Sequence, residues 1–585
     1  MQLTLAYLKK RKYSFYILLI ILSYFINNFF WCSQDWITID ADMCDHLATH
    51  LFFYNYLTQK ADFSRGLWPV FMILVELFKN HSPFFYPPLT YFISAIVNII
   101  FGSSNIIITR MVSIFYYSIL IISLFKICKT VLNKRCAIIS VMLLSLYPAI
   151  IGASRLYALD LPLTGVTAFC MYLLIKTDYF RNFKFTLIFS LAAGAGILMK
   201  AQVLLFLIGP VGYVLVKSSL MNRTLREEMF LVLRFMMVII VAGSCSAVWW
   251  LPRYREIVKR FHFLMFNAIS KPQVPVMDLK ILSGDWLLSY AYFLINNLSP
   301  VLFIIFVCGL IFFLKLKLKH KGIVLSAILV PYVLFTLITM KIDRFFMPAL
   351  PIMALISSTC FFEKYDRKKI LLQIILGFAL FQAGFLSYYP KSNEFSRNAK
   401  KSSIFYLITP MHAPKIVGLS DETKGKKNFF ESFCIKPENL SLEPAILKTI
   451  DKINNFAEKE KITIGMVTEN EYWKAAFCLR YIYKLKNPNV KFFQIDKGQW
   501  ASVFCERDHI LHTKVKNNFF DYIIILESKS KVCSFNNSVN FSMIQDTLRV
   551  NYEVKDSSSY VLIDSQPTSL GDCSILLFKN ALVKT

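Results

Sequence analysis

The chain has 585 residues, 56% of them hydrophobic and 17% charged, with a formal net charge of +28 and a mean hydropathy of +0.50. Soluble globular domains are about 45–50% apolar, so the composition excludes an ordinary soluble domain and describes a polytopic membrane protein. A charge this positive elsewhere implies nucleic acid. Here Lys and Arg gather in short loops between apolar spans, as the positive-inside rule requires, and a nucleic-acid partner is set aside.

The N-terminus carries Lys9-Lys10-Arg11-Lys12 ahead of an apolar run from Tyr13 to Trp31. No small-residue cleavage site follows, so a retained first span with a cytoplasmic N-terminus is expected. Next comes Ile39-Asp40-Ala41-Asp42-Met43-Cys44-Asp45-His46-Leu47, in which three carboxylates and a histidine crowd together between apolar stretches. Membrane packing does not call for such a cluster. On a helix, Asp42 and His46 are four apart and share a face, with Asp45 beside them. Asp45 serves equally well as a helix cap, and the reading of His46 as a local hydrogen-bonding group is the stronger of its two. The Asp40-Ala41-Asp42 triplet has the spacing of the metal-binding DxD of soluble nucleotide-sugar transferases, but no nucleotide-binding fold surrounds it.

Further spans are expected to begin near Ile106, Cys136, Leu159, Phe185, Ala201, Met229, Trp286, Ile323, Phe345 and Ile370, making about eleven in all. Alternating them places Lys126, Lys129, Lys134 and Arg135 inside, then Lys176, Arg181 and Lys184, then Lys217, Arg223 and Arg226. Lys315 to Lys321 and Lys364 to Lys369 complete the inner set. The pattern holds only if Pro87–Phe101 is an interfacial or re-entrant helix within a first outer loop of about residues 33–105. The outer ends of the helices then receive the acidic cluster, Arg155, Asp160, Lys200, Lys341 and Arg344. A proton-coupled transporter would instead place ionisable groups near the bilayer midplane.

After about Tyr389 the composition turns polar. Residues 1–389 read as a transmembrane domain and 390–585 as one extracytoplasmic α/β domain. Ile462–Val467, Val490–Ile495, Tyr522–Leu526 and Tyr560–Ile563 read as strands and Glu471–Leu485 as a helix. Of the 13 cysteines, Cys434, Cys478, Cys505, Cys533 and Cys573 fall in this part with no CxxC pair, which argues against a metal cluster.

A carboxylate can take a proton from a hydroxyl nucleophile, and Lys and Arg can hold a phosphate. Both types recur at the outer helix ends, an arrangement suited to moving a group from a lipid phosphate to an acceptor hydroxyl. Six ordered motifs carry the point further. They are Asp42 with His46; Tyr86-Pro87-Pro88-Leu89-Thr90-Tyr91; Gly102-Ser103-Ser104 with Arg110; and Ser154-Arg155-Leu156-Tyr157-Ala158-Leu159-Asp160-Leu161-Pro162. Ala193-Gly194-Ala195-Gly196-Ile197-Leu198-Met199-Lys200 and Arg344-Phe345-Phe346-Met347-Pro348-Ala349-Leu350-Pro351 complete the set. Through them the chain resembles the membrane glycosyltransferases that include the protein O-mannosyltransferases and the bacterial lipid A aminoarabinose transferase. The resemblance covers about residues 10–390 and departs at Met43, where relatives often have Glu, and at Tyr86, where many have Lys.

The resemblance implies the GT-C fold: an all-α polytopic bundle, with the α/β domain read above following it. It implies a polyprenyl-phosphate-linked monosaccharide as donor, a lipid, glycan or protein as acceptor, and an inverting displacement at the anomeric carbon. In those terms Asp42 deprotonates the acceptor hydroxyl or orients it, with Asp40 and Asp45 as the alternative carboxylates, and Asp160 positions the acceptor or braces the basic group. Lys200, Lys341 and Arg344 neutralise the leaving phosphate, and Asp40, Asp45, His46, Tyr86 and Arg155 line the substrate. No metal ligand is assigned; a divalent ion is admitted but not required. Two other readings stay open, a lipid-linked sugar transporter or flippase and a non-catalytic glycolipid-binding relative. A structural pairing of Asp160 with Arg155 also remains open. The compartment expected is the bacterial cytoplasmic membrane.

Overall fold

The computed structural model describes residues 2–34, 41–60, 86–102, 105–220, 224–255, 258, 284–338, 343–362, 366–388, 449 and six strands between 462 and 580. The chain divides into two compact units, one of Met1–Gln34, Tyr56–Val97 and Ile107–Cys434, the other of Asp35–Asn55, Asn98–Ile106 and Ile435–Thr585. The helices, in chain order, are α1 (Gln2–Gln34), α2 (Ala41–Lys60), α3 (Leu89–Ile100), α4 (Ile106–Val131), α5 (Lys134–Ser145) and α6 (Pro148–Arg155). They continue as α7 (Asp160–Lys176), α8 (Phe183–Met199), α9 (Val203–Ser219), α10 (Leu225–Trp250), α11 (Gly284–Leu298), α12 (Pro300–Lys315) and α13 (Lys321–Leu337). A 3-10 segment (Asp343–Ala349), α14 (Leu350–Ser357), a second 3-10 turn (Ser358–Phe361) and α15 (Asp366–Tyr388) follow.

Among the described residues, four helices are long and apolar enough to cross a bilayer, or up to six if each of two bent pairs is one span. The pairs are α5 with α6, bent by 63°, and the Leu287–Ile295 part of α11 with α12, bent by 117°. Both breaks fall on a proline. Pro148 and Pro300 open the second helix of each pair, where a missing N–H does no harm, and each pushes the preceding residue out of the helical region. Ser299 takes φ 76° and ψ 153°, a conformation that costs a non-glycine residue about 1–3 kcal/mol. The span expected from Trp286 onward is therefore two helices. At 1.5 Å per residue the 12-residue α3 is about 18 Å long, too short for a hydrocarbon core of about 30 Å.

Three of the basic loops end in a side-chain helix cap. Asn133 Oδ1 accepts from Cys136 N at 2.8 Å and Asn182 Oδ1 from Phe185 N at 3.2 Å. Thr224 and Glu227 form a reciprocal capping box. The turn between α7 and α8 is unusual, because Asp178, Tyr179 and Phe180 all have positive φ (47°, 60° and 61°). Arg234 Nη1 donates to the carbonyls of Phe180 and Arg181 at 2.7 and 2.6 Å, and the Tyr179 hydroxyl donates to the Lys319 carbonyl at 3.1 Å. These bonds hold a backbone that would otherwise relax.

Without a hydrophobic driving force between them in lipid, helices associate through close backbone approach and buried polar contacts. α12 meets α14 in this way. A Cβ at Gly309 would lie 2.5 Å from the Ile356 carbonyl oxygen, whereas one at Gly377 on α15 would meet nothing within 4 Å. Gly309→Ala is expected to lower stability by about 1–3 kcal/mol through overpacking, and Gly377→Ala to raise it by about 0.5–1 kcal/mol. Thermal unfolding of the two variants in one detergent checks the opposite signs.

In the second unit the strands are β1 (Ile462–Thr468), β2 (Val490–Gln494), β3 (Cys505–Arg507), β4 (Tyr522–Ser528), β5 (Tyr560–Pro567) and β6 (Cys573–Asn580), in the order β3-β2-β1-β4-β6-β5. β3, β2, β1 and β4 run parallel, while β6 pairs antiparallel with both β4 and β5. All four strands expected from sequence lie in this sheet. The expected helix Glu471–Leu485 lies outside the described residues.

Candidate active site

Asp160 opens α7, and its side chain is only 4% exposed. A helix N-terminus carries partial positive charge and favours a carboxylate there. α7 descends and α8 returns, so the residue that caps α8, Lys200, arrives beside Asp160. Lys200 leaves the helix in extended conformation, with its N–H still bonded to the Gly196 carbonyl. Its Nζ lies 2.7 Å from Asp160 Oδ1. The other oxygen, Oδ2, faces Arg344 Nη1 at 3.8 Å. One carboxylate is thus shared by two cations from elements far apart in sequence. The Lys200 and Arg344 side chains are 15% and 19% exposed, so the trio is mostly sheltered and carries one surplus positive charge.

Two aromatic contacts shape this cluster. Lys200 Nζ stands 5.7 Å from the centre of the Phe345 ring, within cation–π range. Phe345 in turn packs on Phe335 at 6.2 Å, and Phe346 meets Tyr290 at 5.8 Å and Phe206 at 6.1 Å. The 3-10 segment that carries Arg344 therefore rests on a bed of rings. Gln202, in the α8–α9 turn, donates from Nε2 to the Phe345 carbonyl at 3.1 Å.

A second group of cations sits at the end of α6. The Arg155 and Arg110 guanidinium carbons lie 4.8 and 5.4 Å from the Trp31 ring centre, and Arg110 Nε donates to the Arg155 carbonyl at 2.8 Å. Asn28 Nδ2 donates to Ser154 Oγ at 2.8 Å and Ser113 Oγ to the Leu156 carbonyl at 3.0 Å. The Ser94 and Tyr157 hydroxyls pair with each other. Together these contacts pin the extended segment that leads into Asp160. The Asp160 carboxylate pairs with Lys200 and Arg344, not with Arg155.

Of the residues singled out from sequence, Asp160, Lys200 and Arg344 are brought together. Arg155 is buried on Trp31, and Tyr86 is half-buried just ahead of α3. Asp42, Asp45 and His46 lie in the first turns of α2, with His46 buried. Asp40 and Lys341 lie outside the described residues. Among the described residues no group of three His, Cys, Asp or Glu side chains is placed to hold a metal ion. Gln202 and Phe345 carried no assigned role, because one acts through a backbone carbonyl and the other read as membrane packing.

Residues 86–249 match the family described as dolichyl-phosphate-mannose-protein mannosyltransferase. Among solved structures, ArnT from Cupriavidus metallidurans bound to undecaprenyl phosphate superposes with a TM-score of 0.59 at 12% identity, covering 96% of this chain and 98% of that one. The apo state of the same protein gives 0.57 at 12% identity over the same shares. The oligosaccharyltransferase AglB from Archaeoglobus fulgidus, with an inhibitory peptide and a dolichol-phosphate, superposes more weakly, with a TM-score of 0.47 at 12% identity over 88% of this chain and 70% of that one. No curated protein matches the chain.

The fold is that of a multi-pass helical membrane protein of the GT-C type. Within it, residues 86–249 match the mannosyltransferase family model, in line with the resemblance read from the motifs.

Proposed function

We propose that the protein is a glycosyltransferase that moves a monosaccharide from a polyprenyl-phosphate donor to an acceptor hydroxyl, at the outer face of a bacterial cytoplasmic membrane. The observation that carries this reading is the shared carboxylate: Asp160 holds Lys200 at 2.7 Å and Arg344 at 3.8 Å. The three side chains bring two cations and one carboxylate together. A phosphate placed there meets a point charge and a planar guanidinium already held in position.

The chemistry follows from charge. The acceptor oxygen bonds to the anomeric carbon from the face opposite the phosphate, the carbon–oxygen bond to phosphate breaks, and its electron pair leaves with the lipid. The phosphate gains one negative charge, which Arg344 and Lys200 offset, with Lys341 as a further cation from the sequence reading. Asp42 takes the acceptor proton, a role that rests on its sequence pattern, with Asp40, Asp45, His46, Tyr86 and Arg155 as the remaining substrate-side candidates. Asp160 braces the cations.

The α7–α8 hairpin supports the orientation. Its turn carries Lys176, Arg181 and Lys184, about 25 Å along the helices from Asp160 and Lys200. If that basic turn faces the cytoplasm, the cluster faces out. Residues 390–585 would then form an extracytoplasmic domain with a part in selecting the acceptor. ArnT, whose fold this chain shares, was captured with undecaprenyl phosphate, which supports a lipid phosphate as the ligand class.

The test is release of free polyprenyl phosphate by purified protein from a panel of polyprenyl-phosphate sugars, with cell envelope as acceptor. Arg344→Ala is expected to raise the donor KM about tenfold or more, since a hydrogen bond or ion pair to a charged group is worth roughly 1.5–3 kcal/mol. Absence of release from every donor, by protein shown to be folded, turns the reading to a transporter or a binding relative.

A further inference from the structure

The turn Lys200-Ala201-Gln202 joins α8 to α9, and Gln202 stands at the N-cap position of α9 with φ −56° and ψ −20°. Glutamine is not a favoured N-cap residue, and its side chain makes no capping bond to the helix. The amide instead reaches across 143 positions of sequence to the Phe345 carbonyl, 3.1 Å away. That carbonyl has a particular need. In a 3-10 segment the carbonyl of one residue accepts from the N–H three residues on. For Phe345 that residue is Pro348, which has no N–H. The Arg-aromatic-x-x-Pro pattern thus leaves an acceptor open directly behind Arg344, and Gln202 supplies the donor.

The consequence reaches the anion site through both neighbours of that bond. On one side is Arg344, the residue before Phe345, facing Asp160 Oδ2; on the other is the Phe345 ring under the Lys200 ammonium. Lys200 itself is two residues before Gln202. A single amide therefore ties the turn holding one cation to the segment holding the other.

We propose that Gln202 is a positioning residue for the anion site, fixing the 3-10 turn so that Arg344 and the Phe345 ring stay registered on Lys200 and Asp160. The inference rests on the lipid-phosphate reading above, and the experiment separates the two. Equilibrium binding of undecaprenyl phosphate to the full-length protein in nanodiscs is measured for wild type, Gln202→Met, Arg344→Ala and the double variant. Met keeps length and bulk but cannot donate.

Loss of one neutral hydrogen bond that orders a charged group is expected to weaken binding roughly three- to tenfold. In the Arg344→Ala background the same substitution is expected to change binding less than twofold, because the group being positioned is gone. A purely structural role would give equal losses in both backgrounds, and that result, or unchanged binding in the single variant, overturns the proposal. Gln202→Asn, which keeps the amide but shortens its reach by one methylene, is held to the same pattern if the Met variant does not fold. Failure of folded wild type to bind undecaprenyl phosphate overturns the underlying reading along with it.

Discussion

Asp42→Asn is expected to lower the rate of sugar transfer by about 10²–10⁴-fold, the usual contribution of a positioned general base, while undecaprenyl phosphate binding changes less than threefold. The substitution keeps the shape of the side chain and removes its negative charge, and with it the ability to accept a proton. The phosphate is held in this scheme by Lys200 and Arg344, both of which the substitution retains. A loss confined to kcat therefore separates the base from the binding groups. Three carboxylates crowd this part of the chain, so the measurement runs Asp40→Asn and Asp45→Asn in parallel. Should Asp42→Asn keep more than a tenth of the wild-type rate while either neighbour collapses, the base is that neighbour. Equal, modest losses in all three would mean that the cluster acts as a negatively charged surface and not as a proton acceptor.

Much of the helical architecture was legible in the sequence because lipid enforces it. A span must be long and apolar, and the loops between spans here are short and basic, so the boundaries announce themselves. Ile106, Cys136, Leu159, Phe185, Ala201, Met229, Ile323 and Ile370 all begin within a few residues of observed helix starts. Breaks inside a span were harder to read. Pro300 hinted at one, but the positive φ of Ser299 and the 117° bend depend on what the two helices pack against. In the second unit, β1, β2, β4 and β5 stood out as β-branched or aromatic runs. β6 (Cys573–Asn580) was missed because Lys and Asn at its end blur the apolar run of Ile575 to Phe578, and the three-residue β3 is too short to carry a pattern.

The candidate site divides in the same way. Asp160, Lys200 and Arg344 were visible as charges at helix ends, where a membrane protein places ionisable groups only for a reason. That they share one carboxylate was not visible, since their separation along the chain says nothing about the return of α8 beside α7. Arg155 looked equally available from sequence, but its guanidinium is stacked on Trp31. Gln202 had no signature at all. Its partner is a main-chain atom whose need for a donor arises from Pro348, and only the folded chain brings the two together.

Asp160→Asn should destabilise the free protein and, at the same time, increase its stabilisation by lipid phosphate. The carboxylate is 4% exposed and the two cations it pairs with are 15% and 19% exposed. Removing one partner of a fully buried ion pair costs about 3–5 kcal/mol because the other charge is left uncompensated. Residual water access here reduces that to roughly 1–3 kcal/mol, still enough to shift the melting temperature by several degrees. In the variant Lys200 and Arg344 repel each other across the place the carboxylate filled. A bound phosphate restores the missing negative charge, so the melting-temperature rise on adding undecaprenyl phosphate is expected to exceed that of wild type. Turnover is expected to fall regardless, because cations held by substrate alone are no longer positioned before it arrives. If the lipid raises both melting temperatures equally, Asp160 does not share its cations with the phosphate, and the ion pair belongs to the scaffold.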